Sequence, residues 1–390
     1  MAKLINLHAF RKFFASSSAG GILLLISVVI SLIIANTGLA DNFQKLLDFQ
    51  IGFESQNVHL NYSVNSWIND GLMAVFFLLV GLEIKREVVE GELSELSQAA
   101  LPVLAALGGA ILPAIIYGVI NLNTPETSAG WGIPMATDIA FALGILSLLG
   151  NKVPHQLKIF LAALAIADDL MAILVIAFFY TKELHTEYLL YAAGVFALQL
   201  LFNQMKLKSI WLYIIPGVFM WYFIHHSGIH ATIAGVLTAF TLPTTPDDTE
   251  SPLERLEHLL GNPVNFIIMP IFALANTNIT FMEGMTGGLV NNMGLGIILG
   301  LMFGKPIGIL GISWAAVKLK LAKLPEETGW LHLTGAGILG GIGFTMSVFI
   351  ALLSINNTEL QNEAKAAILV ASVISGCTGY FFLYRLNKRE

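Results

Sequence analysis

The sequence predicts an all-α membrane protein with twelve transmembrane helices, folded as a single polytopic unit over residues 1–390. Three observations carry this reading. Of 390 residues, 56% are hydrophobic and only 12% are charged, about half the charge share of a soluble domain. The apolar residues fall into twelve stretches near the length of about 20 residues that crosses a bilayer. The basic residues then sort strongly to one side. This composition excludes a soluble enzyme and a disordered chain. It also excludes a nucleic-acid binder, because Lys+Arg 20 against Asp+Glu 26 gives net −6, the wrong sign for phosphate partners. The lone Cys377 rules out a disulfide framework and a thiolate metal cage.

The first span lies within Phe13–Ala40, which carries no charge and follows Lys3, Arg11 and Lys12. More spans follow it, so it reads as a retained signal anchor. The others lie near 65–84, 99–121, 130–149, 157–180, 187–204, 209–224, 229–243, 256–277, 293–316, 332–355 and 363–384. Only His225-His226-Ser227-Gly228 separates the seventh from the eighth, and fusing them would invert everything downstream. With the N-terminus in the cytoplasm, 16 of the 20 basic residues fall inside and three (Lys45, Lys182, Lys365) outside, with Lys305 in a span. That asymmetry supports twelve spans with both ends cytoplasmic.

The loops are short. The longest, about Asp41–Val64, lies outside. Its segment Gln50–Ser63 mixes Phe, Val and Tyr with polar residues around Ser55-Gln56-Asn57. It reads either as a β-hairpin, whose exposed edge would pair two subunits, or as an ordinary loop. The polar stretch Pro243–Glu254 lies inside, and Ser251-Pro252 suits a helix start with proline at the first helical position.

Ionisable groups within a span are costly and usually mark a pathway or a pair. Asp70 sits near a predicted outer span end, while Asp138, Asp168, Asp169 and Lys305 fall near mid-span. Asp168 and Asp169 are adjacent, so on a helix they point about 100° apart. One faces a cavity while the other faces a neighbouring helix. Two carboxylates this close suit the exchange of a proton for a cation; alternatively, one of them is a structural residue. Asp138 follows Thr137 and Pro134, where a helix breaks and frees carbonyls. Hydroxyl, carboxylate and carbonyl oxygens are what hard cations such as Na+ or Li+ require. The alternative is a proline kink with Asp138 as counter-charge. Lys305 either pairs with an acid and releases on ion entry, carries the transported proton, or forms a structural salt bridge.

Spans 3–5 and 10–12 each hold three members, and the middle one is interrupted in both, by Pro134 in span 4 and by glycines 335, 337, 340, 341 and 343 in span 11. Four intervening spans place the two sets in opposite orientation, a candidate inverted repeat. Opposed half-helix dipoles at such breaks would be neutralised by Asp138 and Lys305. At inside helix ends, Glu83, Lys85, Arg86 and Glu87 form one charge group; Glu254, Arg255, Glu257 and His258 form another. Glu83 and Glu87, like Glu254 and His258, are four apart and share a helix face. If the two ends meet they form a titratable network near neutral pH; otherwise they are solvated faces that set topology. His230, at the outer start of span 8, is a separate titratable candidate.

Seven stretches together resemble the NhaA family of bacterial Na+/H+ antiporters. They are DGLMAVFFLLVGLEIKRE (70–87), WGIPMATDIAFALG (131–144), KIFLAALAIADDL (158–170), SGIHATIAGV (227–236), SPLERLEH (251–258), GKPIGI (304–309) and GILGGIGFTMS (337–347). That family is itself an example of paired broken helices in inverted repeats, so the repeat is not independent support. The resemblance implies twelve helices, with spans 4 and 11 unwound where they cross. It implies that Asp168 and Asp169 bind Na+ or Li+, with Asp168 most directly involved and Thr137 and Asp138 on the unwound fourth helix. Lys305 matches the family lysine near the site. Glu83, Arg86, Glu87, Glu257 and His258 match the pH-sensing cluster, and His230 matches a histidine linked to pH response. Met171 stands where the family usually has glycine, and Gly261 where some relatives carry histidine.

The function these readings point to is electrogenic Na+(Li+)/H+ antiport in the bacterial inner membrane, activated at alkaline pH and serving sodium and pH homeostasis. No cofactor is expected beyond the transported ions. The expected partners are membrane lipids and a second copy bound through the loop near 50–63. A cation channel is the rival reading. An intramembrane aspartyl protease is a weaker one, since no Gly-Asp dipeptide occurs.

Overall fold

A computed structural model describes residues 19–55, 59–91, 93–181, 184–244, 250–280 and 285–386. The start of the first span, the basic residues Lys3, Arg11, Lys12, Lys182, Lys388 and Arg389, the loop positions Gln56 and Asn57, and 245–249 lie outside them. A helix forms in each of the twelve predicted stretches. Helix α1 (Ala19–Ala35) leads into the short amphipathic α2 (Ala40–Asp48) through a bend of 111°. Gln50–Ile51 then pairs antiparallel with Tyr62–Ser63, with Gln50 opposite Ser63 and a further bridge from Glu54 to His59. The segment is therefore a hairpin. A π-helical turn, Trp67–Leu72, runs into α3 (Met73–Val89).

Helix α4 (Leu96–Ile120) contains Pro102 and Pro113. The fourth stretch comes in two pieces: a 3-10 segment, Ala129–Met135, and α5 (Ile139–Leu148), bent by 42°. The break falls at residues 136–138, just after Pro134. Helix α6 (His155–Phe179) carries the adjacent aspartates. Then come α7 (Thr186–Gln204), α8 (Trp211–Ser227) and α9 (Ile233–Thr241). Gly228, at φ +88°, separates α8 from α9; the left-handed conformation suits glycine and keeps the two helices distinct.

Helix α10 (Pro252–Pro263) opens on a capping box: Ser251 Oγ accepts from the Glu254 amide while the Ser251 amide donates to Glu254 Oε2. It continues through a π turn into α11 (Met269–Asn276). Helices α12 (Asn292–Leu299) and α13 (Lys305–Lys318) join through the π turn Gly300–Gly304. The eleventh stretch is again broken, into α14 (Trp330–Gly340) and α15 (Phe344–Ser354), bent by 45°. Helix α16 (Thr358–Leu386) ends the description. Among the described residues, five helices are long and apolar enough to cross a membrane, or up to eight if each bent pair counts as one span.

Helices α4 and α13 pack backbone to backbone. A Cβ on Gly108 would sit 2.2 Å from the Gly308 carbonyl oxygen, and one on Gly308 would sit 2.1 Å from that of Gly108. Small residues let helices approach this closely in an apolar setting, where no hydrophobic drive holds them together. The buried interior is then organised around the two breaks.

Candidate functional site

The two broken segments meet each other. The Asp138 amide donates to the Ile342 carbonyl at 2.7 Å, and the Thr137 hydroxyl donates to the Gly340 carbonyl at 2.9 Å. Ser347 Oγ donates to Ile133 O at 2.7 Å. Carbonyls and amides freed by one break are thus satisfied by the other, as backbone at membrane depth demands.

Asp138 is the N-cap of α5, where Oδ1 accepts from the Phe141 amide at 3.1 Å. Its other oxygen, Oδ2, accepts from the Thr345 amide at 3.1 Å and from the Thr345 hydroxyl. One carboxylate therefore caps the starts of two half-helices, α5 and α15, whose N-terminal dipoles both favour negative charge. Lys305 does the reverse: its ammonium donates to the Met135 carbonyl, at the C-terminal end of the 3-10 segment, and to Asp168 Oδ2. Asp138 and Lys305 both stand at broken helix ends, and their specific partners Thr345 and Met135 are not legible in the sequence. In the sequence GFTMS, the stretch holding Thr345 and Ser347, stands out through its glycines and the family resemblance rather than through its hydroxyls.

Thr137, Asp138, Asp168, Asp169 and Lys305 are all between 0 and 3% exposed. Asp168 Oδ1 and Asp169 Oδ1 are buried and accept no hydrogen bond among the described residues. The Thr137 hydroxyl and amide lie beside Asp168. The centre thus gathers two buried carboxylates, one ammonium and one hydroxyl, and one oxygen of each carboxylate has no aligned hydrogen-bond donor among the described residues. Both oxygens of Asp138 are engaged. An all-oxygen donor set of this kind suits a hard monovalent cation.

Two tyrosines fix the first broken segment. Tyr117, from α4, donates to Thr127 O at 2.7 Å. Tyr180, just beyond α6, donates to Ala129 O at 2.9 Å and accepts from the Gly132 amide at 3.3 Å. Neither was anticipated, because a tyrosine at a span end reads as an interfacial anchor.

The two charged helix ends do meet. Arg86 Nη2 lies 3.1 Å from Glu87 Oε1, and Arg86 Nε lies 3.0 Å from Glu257 Oε2, the latter in ionic contact without hydrogen-bond alignment. Glu83 lies within electrostatic range of Glu257, Arg86 and Glu87 on one side and of Asp169 on the other. It links the cluster to the buried acids. His258 is exposed and pairs with Glu250 at 3.2 Å rather than with Glu254, which is occupied in the capping box. Lys85 donates to the carbonyls of Phe240 (2.8 Å) and Leu242 (2.5 Å), holding the end of α9. At the other end of the helices, His230 Nε2 lies 3.4 Å from Asp70 Oδ1, in a cavity of about 320 Å³ also lined by Asn65, Asn69, Tyr180 and Phe349. The His230–Asp70 pair was not anticipated.

Two interrupted helices that meet at buried ionisable side chains define a helical, multi-pass membrane protein. The sequence profile of the family described as Na+/H+ antiporter 1 matches residues 11–383. A Na(+)/H(+) antiporter NhaA 2 of Flavobacterium johnsoniae is 65% identical over 392 residues, covering 100% of this chain and 96% of the relative. A Na(+)/H(+) antiporter NhaA of Flavobacterium psychrophilum is 50% identical, covering 97% and 96%, and one of Caulobacter vibrioides is 47% identical, covering 100% and 94%. The chain belongs to the NhaA Na+/H+ antiporter family.

Proposed function

We propose that this chain is an electrogenic Na+(Li+)/H+ antiporter of the bacterial inner membrane, expelling sodium as protons flow inward. The observation that carries the proposal is the pair of buried oxygens on Asp168 and Asp169, without an aligned donor among the described residues, beside Lys305. A cation entering between these carboxylates displaces protons or the ammonium. A proton arriving there releases the cation. Either ligand neutralises the centre, whereas an empty, charged centre is costly to move through low dielectric. Inward and outward exposure then alternate, with Na+ and H+ competing for the same oxygens. Thr137 supplies a further oxygen, while Asp138 holds the crossing together.

The whole chain acts as one unit of twelve spans with both termini cytoplasmic. The inside cluster of Glu83, Arg86, Glu87, Glu257 and His258 raises activity at alkaline pH, with His230 responding at the outer side. The unit works as a homodimer joined through the hairpin, in contact with membrane lipids. The test is Asp168→Asn in everted vesicles, where exchange is expected to vanish; full exchange in that variant refutes the assignment.

A further inference from the structure

A second group of titratable side chains lies apart from the buried acids and borders the cavity of the Asp70–His230 pair, which His225 also lines. Tyr62 is on the returning hairpin strand. Its hydroxyl lies 2.9 Å from the His59 carbonyl oxygen and 3.3 Å from His226 Nε2. His226 is in the last turn of α8, and its Nδ1 lies 2.8 Å from the Tyr222 carbonyl oxygen. A carbonyl only accepts, so Nδ1 carries a proton. On a neutral ring, Nε2 is then an acceptor. The Tyr62 hydroxyl has one proton and faces two acceptors, the His59 carbonyl and Nε2, so one of them goes unserved.

A proton added at Nε2 removes the conflict. The ring donates from both nitrogens, and the hydroxyl accepts from Nε2 while donating to His59 O. Every polar atom of the contact is then paired. The ring's surroundings also suit a cation: the Tyr222 ring centre is 4.3 Å away and that of Tyr188, from α7, is 5.4 Å away. His225 is the opposing neighbour, its ring 5.4 Å from that of His226, and it also stacks on Trp221. Asp70 acts electrostatically on Tyr62. On the hairpin itself, His59 pairs with Glu54 at 3.2 Å.

We infer that Tyr62 and His226 form a proton-operated latch, in which proton uptake by the imidazole locks the hairpin onto the outer end of α8. The latch is distinct from the buried ion centre and holds whether or not the exchange reading does. It is tested by hydrogen–deuterium exchange of the hairpin amides between 59 and 64 in the full-length protein in nanodiscs, corrected for the intrinsic pH dependence of exchange. Between about pH 8 and about pH 5.5, the range in which histidine changes charge, exchange is expected to slow roughly tenfold, the equivalent of one charge-assisted hydrogen bond. His226→Gln and Tyr62→Phe are expected to abolish the pH response. His226→Lys keeps a donor at both pH values and is expected to leave the hairpin protected throughout. His59→Gln is expected to leave the response intact. A wild-type hairpin indifferent to pH, a response surviving in His226→Gln, or a response lost in His59→Gln overturns the latch.

Discussion

The ion pair between Lys305 and Asp168 is the most demanding contact in the interior, and a double-mutant cycle measures it. Both side chains are 1% exposed. Lys305→Met leaves the Asp168 carboxylate without its counter-charge and the Met135 carbonyl without its donor. Asp168→Asn leaves the ammonium without its partner. Breaking a buried pair from one side costs about 3–5 kcal/mol, whereas replacing both members with neutral groups is often close to neutral. The carbonyl orphaned in Lys305→Met places that variant toward the upper end of the range. The double variant is therefore expected to be less destabilised than the two single losses combined, by about 3 kcal/mol or more. Equilibrium unfolding in mixed micelles, followed by tryptophan fluorescence, provides all four corners of the cycle. Single losses that add to within about 0.5 kcal/mol, as independent sites do, would refute the coupling.

Further outcomes follow from other contacts. Thr345→Val removes the hydroxyl donor to Asp138 Oδ2 and is expected to cost about 1–3 kcal/mol, with Thr345→Ser restoring it; equal melting of Val and Ser variants would contradict the double cap. Gly108→Ala pushes a methyl against the Gly308 carbonyl and is expected to lower stability by about 1–3 kcal/mol, read by thermal melting in detergent against Gly194→Ala, where the new Cβ meets nothing within 4 Å. Arg86→Gln breaks a half-exposed contact with Glu257, so stability should change by less than about 1 kcal/mol while the pH profile of exchange in proteoliposomes shifts. A changed melt with an unchanged profile would show the cluster to be structural only.

Much of the helix pattern was legible because apolar length is a direct consequence of the bilayer as a solvent. All twelve predicted stretches hold helices, and the Ser251-Pro252 start carries its capping box. The boundaries drifted where chemistry other than hydropathy decides. The eighth stretch was read as 229–243, but the helix begins at Ile233 because Gly228 and the His230–Thr232 contact shape its entrance. The fourth was read as breaking around Pro134, but that residue sits within the 3-10 segment and the break follows it. The buried charges stood out through scarcity alone. Their partners did not, because Thr345, Ser347, Tyr117 and Tyr180 are ordinary residues in an apolar run, and only the crossing of two distant segments gives them a task. His258 shows the converse: helical spacing paired it with Glu254, but the capping box had already claimed that carboxylate.

Asp138 binds the amides of two chain segments that lie more than two hundred residues apart in sequence. Mechanically it is a rivet through two plates. Neither interrupted helix can slide or tilt at its break without shearing that joint, so the two broken segments are obliged to move as one body. Any motion that turns the buried acids from one side of the membrane to the other must then be taken up elsewhere, along the seams where this paired core meets the remaining helices.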